Sequence, residues 1–543
     1  MAAASSPIDR PTLARIPDLH PACNLGAFVA ARPVPGDRVA IIDISGAGEI
    51  VLTYDDLEAA IRKAVGLFEG LGVTRGTRLA MALPNSHTFL VIFLALMRLG
   101  AIPAFLNPRL PLDVLRFVLK DCGATGLLAD LAETPALDAL AGEMEAGTLI
   151  DLSGSGKGRW RAWRALFEAA APSDHVATMR FEDQAFQPYT AGSTGVPKGI
   201  VLTHGGMLWG IEHSEEYWPR RAEERGIVAA PMFHKNAMRG TIKPMLRGGA
   251  SVVIMRAFKP RLYLEALARH RVTICGGVPA MFADILRETD LVETLDFSAL
   301  ETLSMGSSAV PEELSERLAA AFPGVAIKES YGLTEGGGPT RAHGDGRPTP
   351  KGSVGVIAPE YEGKLVDEAG GESATFGELW IRSPYVLTAY AGRPDLTAER
   401  LQDGWLKTGD IFRKDGDGFL YFVGRSDDMF SCGGENLYPK DVENLILKLS
   451  SVNDVIVVPL PHTTKSFAPA ALVAPRPGIS LAPVEVQEFC ATNGPTFAIP
   501  RAVLVVDGLP RTDAGKPDRR AALDILSKTF GTLSPRTERR SRP

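Results

Sequence analysis

At 543 residues the chain is too long for one small domain, since a domain takes roughly 150 residues. Its apolar share of 45% and charged share of 22% are those of an ordinary globular protein able to bury a sizeable core. A net charge of −6, from 64 acidic and 58 basic residues, gives no reason to expect nucleic acid or an anionic membrane as a partner.

The N-terminus carries no basic segment running into an apolar one, so no signal peptide is expected. Residues 39–42 read as a strand, and 54–71 as a helix with Asp55 placed to cap it. Residues 78–83 read as a strand and 86–99 as a helix. The most apolar stretch, 89–106, is interrupted by Arg98, Gly100 and Pro103 and falls short of a membrane span of about 20 residues. It reads as a buried helix running into a buried strand. Strand-like runs recur at 227–230, 251–255, 272–275 and 300–305, alternating with helical patterns. Such repeated units predict an α/β domain of helix-covered, mainly parallel sheets. From about residue 354 a small β-rich portion follows, with strands at 377–382 and 419–423 and a turn at 415–418.

A polar, glycine-containing stretch at 424–434 then separates off a compact α+β unit. It has helices at 439–449 and 484–492 and strands at 452–459, 468–473 and 503–506. The expected division is 1–426 for the large domain, 427–530 for a small mobile one, and 531–543 for a disordered tail bearing Arg536, Arg539, Arg540 and Arg542. The five cysteines (Cys23, Cys122, Cys275, Cys432 and Cys490) are odd in number and scattered. That excludes a disulfide framework or a zinc site as the expected design and fits a reducing cytoplasm.

Residues 189–199 read Tyr-Thr-Ala-Gly-Ser-Thr-Gly-Val-Pro-Lys-Gly. Gly192, Gly195 and Gly199 let a backbone approach a ligand closely, Thr190, Ser193 and Thr194 offer hydroxyls, and Lys198 offers a charge. Together they suit a polyphosphate. The pattern is neither a Walker loop nor a nucleophile elbow. A plain flexible turn has the same composition.

These eleven residues resemble the signature of the adenylate-forming superfamily, which takes in acyl- and aryl-CoA synthetases and the adenylation domains of peptide synthetases. The resemblance continues in order along the chain. It runs through Pro231-Met232-Phe233-His234, Tyr331-Gly332-Leu333-Thr334-Glu335, Thr408-Gly409-Asp410, Gly424-Arg425 and Gly433-Gly434-Glu435-Asn436. It ends at Pro510-Arg511-Thr512-Asp513-Ala514-Gly515-Lys516 and covers about residues 30–525. Ala191 departs from the family's usual serine.

The resemblance implies an ATP-dependent carboxylic acid–CoA ligase. The acid and ATP give an acyl-adenylate and pyrophosphate, and coenzyme A then gives the thioester and AMP. It implies that Lys516 reaches the acid's carboxylate and the α-phosphate, Thr334 serves the α-phosphate, Glu335 contacts Mg²⁺, and Lys198 holds the departing pyrophosphate. Asp410 and Arg425 would hold the ribose. Gly306, Ser307, Ser308, Tyr331 and Gly332 would border the nucleotide. Asp427 would be the hinge, Gly433 and Gly434 would approach the pantetheine tunnel, and His234 would gate it.

The acyl pocket would draw on His234, Lys235, Ala237, Met238, Gly306, Gly332 and Gly336, with Tyr217 and Trp218 as further wall candidates. Peptide-synthetase adenylation domains usually carry an aspartate shortly after the aromatic of the motif that here reads Pro231-Met232-Phe233-His234. None stands between Phe233 and Met238, so the resemblance disfavours an α-amino acid. Lys235, Arg239 and Lys243 would share a face if helical, and a solvated basic face is the favoured reading over an anion site. Transfer to a carrier protein or an amine, and a catalytically silent nucleotide binder, are the rivals. A homodimer is one assembly the resemblance allows.

Overall fold

A computed structural model describes residues 10–144, 147–154, 156, 158–190, 197–234, 237–306, 310, 312–344, 346–432, 435–512 and 515–534. Two parallel sheets organise the first part of the chain. One runs Ile102–Phe105, Arg78–Ala82, Gly126–Ala129, Thr148–Asp151 and Arg161–Ala162, all parallel. The other has the order Ala326–Ser330, Thr302–Gly306, Ile274–Gly277, Arg225–Val228, Ser251–Ile254 and Val39–Asp43, with Ile50–Thr53 added antiparallel at the edge. The helix His87–Arg98 is buried along its whole length from Phe89 to Arg98. Its sequence is apolar all round because both of its sides meet protein. The one charge, Arg98, is held by Glu58 through two bonds of 2.6 Å.

The helix Tyr54–Gly70 corrects one expectation. Thr53, not Asp55, is its N-cap, and Thr53 and Asp56 close a capping box. The Thr53 hydroxyl accepts from the Asp56 N–H, and the Asp56 carboxylate takes the Thr53 N–H, so two otherwise orphaned donors are satisfied.

The β-rich portion is an antiparallel sheet centred on Phe376–Arg382 and Trp405–Lys414, with Leu420–Arg425 on the far side of the latter. The ten-residue strand Trp405–Lys414 was not among the expected strands, and the predicted turn at 415–418 joins it to Leu420–Arg425. The hydrophobic core that includes Leu406, Phe412 and Leu420 is continuous with the large domain.

A separate core gathers residues between Phe430 and Leu533. Its sheet pairs Val452–His462 with Ser466–Pro475 antiparallel, and Ala502–Val505 with the latter in parallel. Buried Glu443 ties this unit together, accepting from Val457 N at 3.0 Å and from Arg519 at 2.6 Å. The expected tail begins too early. Leu533 is buried and bonded to this unit, donating to Pro461 O at 2.8 Å and accepting from Thr463 N at 3.0 Å. Residues 535–543 lie outside the described residues. No helix among the described residues is long and apolar enough to cross a membrane.

Candidate active site

The glycine-rich segment is flanked by two strands that pair. Tyr189–Thr190 pairs with Lys198–Thr203, placing Lys198 opposite Thr190. Gly192, Ser193, Thr194 and Gly195 lie outside the described residues. Tyr189 is fixed at the base, donating to Asp121 at 2.6 Å. On its other side Lys198–Thr203 pairs with Ala389–Tyr390, and Ala391 N donates to Gly199 O at 2.9 Å. The Tyr390 phenol faces the Glu335 carboxylate. Burial first, and then that negative charge, push its pKa up. The segment is joined to Glu335 by its backbone too, through Leu387 N to Glu335 O at 2.7 Å.

Glu335 sits in a tight turn closed by reciprocal bonds between Leu333 and Gly337 of 2.9 and 3.0 Å. Gly337 has φ +80°, a conformation natural to glycine. At Gly336 a Cβ would lie 2.5 Å from Ile381, so the turn can lie flat on the antiparallel sheet. The turn begins at Tyr331, whose hydroxyl donates to Asp410 at 2.5 Å. Arg425, across the strand pair from Asp410, donates to its other oxygen at 3.1 Å. Burial pushes the Asp410 carboxyl up and Glu335 adds to this, while Arg425 and Tyr331 oppose it. Arg425 also reaches Asp427 at 3.0 Å, so the expected hinge residue is tied to the same cluster.

The far end of the chain arrives at this cluster. Thr512 and Lys516 close a turn through Thr512 N to Lys516 O at 2.8 Å, and Gly515 takes φ +75°. A Cβ on Gly515 would come within 3.0 Å of Val278, in the large domain. The Lys516 side chain is exposed, yet within electrostatic reach of Asp410 and Glu335. Desolvation by the surrounding protein lowers its pKa; the two carboxylates pull it back up. The Arg476–Glu313 ion pair bridges the two units at a second point.

The pocket candidates are more dispersed. His234 is half-buried beside Phe233, with ring centroids 4.8 Å apart. Ala237 and Met238 are buried. Gly306 ends its strand where a Cβ would lie 2.5 Å from Ser330 Oγ. At Gly332 a Cβ would lie 2.7 Å from the Arg239 guanidinium, so the turn's glycines make room for that arginine. Lys235, Ser307, Ser308, Gly433 and Gly434 lie outside the described residues.

Two expectations fail. Tyr217 and Trp218 are exposed at the end of the helix His204–Tyr217, where Tyr217 packs on His213 and Arg341 instead of lining a wall. The favoured solvated basic face is also wrong for Lys243, which is 3% exposed. Sequence reasoning missed Tyr390 and Glu313, neither of which stands in a motif.

The Glu335 carboxylate, which acts electrostatically on Asp410 and Lys516, is an oxygen ligand of the kind Mg²⁺ takes.

The AMP-binding enzyme model matches residues 28–391, and the AMP-binding enzyme C-terminal domain model matches 441–516. A feruloyl-CoA synthase from an Amycolatopsis species is 32% identical over 475 residues, covering 86% of this chain and 93% of its own. A long-chain-fatty-acid–CoA ligase from Mycobacterium tuberculosis is 28% identical over 502 residues, covering 91% of this chain and 96% of its own. The solved structure of ATP-bound MatB from Rhodopseudomonas palustris has a TM-score of 0.85 at 25% identity, covering 94% of this chain and 99% of that one. Its apo form scores 0.75 at the same identity and coverage. The present arrangement is thus nearer to the nucleotide-bound form.

Proposed function

Because the chain belongs to the AMP-binding enzyme family, we propose that it performs both half-reactions of an acid–CoA ligase at the cleft between Glu335, Asp410 and Lys516. It is an AMP-forming acid–thiol ligase whose substrates are a carboxylic acid, ATP and coenzyme A. A carboxylate oxygen attacks the α-phosphorus, the bond to pyrophosphate breaks, and the acyl-adenylate forms. The CoA thiol then attacks the acyl carbon, and AMP leaves.

The first step brings two anions together, so fixed positive charge must be present before reaction. Lys516 meets the incoming carboxylate and the α-phosphate, Thr334 donates to the same phosphate, and Lys198 holds the pyrophosphate. Asp410 and Arg425 hold the ribose. Gly306, Ser307 and Ser308 border the adenine. Glu335 would hold Mg²⁺, which when bound neutralises phosphate charge. For the second step residues 427–530 turn about Asp427 against residues 1–426, withdrawing Lys516 and bringing Gly433 and Gly434 to the pantetheine, with His234 at its entry. The five cysteines, all free thiols, support a cytoplasmic setting.

The observation that carries this reading is that Lys516, near the end of the chain and in the unit built on a separate core, comes within electrostatic reach of Asp410 and Glu335. The test is carboxylate-dependent exchange of labelled pyrophosphate into ATP over a broad acid panel. CoA, a phosphopantetheinyl protein and simple amines are then offered as acceptors. Lys516→Ala is expected to lose about 10²- to 10³-fold in exchange, the usual effect of removing one transition-state donor. Thioester formation from supplied acyl-adenylate should fall far less. Equal losses in the two steps would contradict the assignment, and so would release of an amide or carrier-bound product in place of acyl-CoA.

A further inference from the structure

The segment after His234 carries two cations that adenylation does not use. Residues Met238–Ile242 form a π-turn, and Lys243 N donates to Met238 O, five residues back. Such insertions mark functional sites more often than chance. Here it seats Lys243 over Met238 and sends the side chain inward. Its ammonium lies 4.0 Å from Met207 Sδ, and among the described residues it meets no carboxylate.

The Arg239 guanidinium lies on the turn that holds Thr334 and Glu335, close enough to Lys243 to act on it electrostatically. Its guanidinium occupies the space that Cβ atoms at Gly332 and Gly338 would need, and it acts electrostatically on Tyr361 and Tyr385. It too forms no ion pair among the described residues. Lys243 and Arg239 repel one another. Lys243 is buried and Arg239 half-buried, and cationic side chains placed there without a counter-charge carry a cost that neutral residues of similar size would not.

We propose that these two residues receive a second anionic group on the acid, a distal carboxylate, bound at Arg239 with Lys243 behind it. This rests on the ligase reading above and names the substrate class of the same site. Gly332 and Gly338 then have a stated purpose, since any side chain there would displace the guanidinium from the turn. Burial of the Lys243 amine, which lowers its pKa to about 7, fits a group that takes up its full charge only when an anion arrives.

The experiment compares each α,ω-dicarboxylic acid with its own monomethyl ester, and aromatic diacids with theirs, using the full-length enzyme, ATP, Mg²⁺ and CoA. For wild type, kcat/KM for the best diacid should exceed that for its ester by about 10- to 100-fold, mostly through KM, as for a hydrogen-bonded buried charge. Arg239→Gln and Lys243→Met should each bring that ratio toward one. Because the readout is a ratio within one variant, a general loss of activity cancels. A wild-type ratio near one on every pair, or a ratio that neither substitution moves, overturns the inference while leaving the ligase intact. Turnover of no acid at all overturns both.

Discussion

Lys243 is a buried amine whose stability effect can be measured without knowing the substrate. Its pKa in the folded chain is about 7, against an ordinary value of 10.5. The groups facing it are the Arg239 guanidinium and the Met207 sulfur, and neither favours an ammonium by its charge. Between pH 7 and 10.5 the unfolded chain therefore binds more protons than the folded one, and stability rises with pH across that window. Below about pH 7 the folded state carries the whole penalty. Lys243→Met removes the amine and keeps the length of the side chain. The variant should melt higher than wild type, with a gain of up to about 4 kcal/mol at pH 6 that shrinks toward zero by pH 10. A gain that is flat with pH would mean that the amine is not the source. Asp410 differs in kind: its carboxyl is raised by burial, but Tyr331 and Arg425 both bond to it.

At the scale of the element, glycines fix where charged side chains can lie. Gly409 has φ +74°, and a Cβ there would stand 2.9 Å from Arg400 and 3.0 Å from Arg425. Gly409→Ala both strains the backbone and pushes Arg425 off Asp410. The expected result is a KM for ATP raised about tenfold or more, since a charge-assisted bond to a buried carboxylate is worth about 1.5–3 kcal/mol. The KM for the acid should move little, and an equal rise in both constants would show general damage instead.

The motifs were legible because their chemistry confines it to short stretches. Thr408-Gly409-Asp410 and Tyr331–Glu335 can be read without a fold, and they do converge. Tyr390 could not be read that way, because its approach to Glu335 depends on a two-residue strand pairing with Lys198–Thr203. The burial of Lys243 was hidden for a related reason: charge spacing alone suggests solvent, and only the π-turn sends the side chain inward. The cap at Thr53 was missed in favour of Asp55 although the Thr-x-x-Asp spacing approximates a capping box.

At the scale of the molecule the two units meet at more than one point among the described residues, and the proposed turn of the small unit between half-reactions would have to release them. One is the close approach of Gly515 to Val278; another is the Arg476–Glu313 pair. The pair is partly exposed, at 31% and 43% of the side chains, so it is screened and should contribute at most about 1 kcal/mol. That is enough to bias a nearly balanced equilibrium between two lobe positions by up to about fivefold. Arg476→Glu places two carboxylates face to face and should slow pyrophosphate exchange by about 3- to 10-fold at low salt, with the deficit fading as salt is added. Thioester formation from supplied acyl-adenylate should not slow, because it is expected to use the other lobe position. The double exchange Glu313→Arg with Arg476→Glu rebuilds the pair in reverse and should recover most of the lost rate. If the double variant is no better than Arg476→Glu alone, or if both half-reactions fall together, the pair is not a clasp of the adenylating pose.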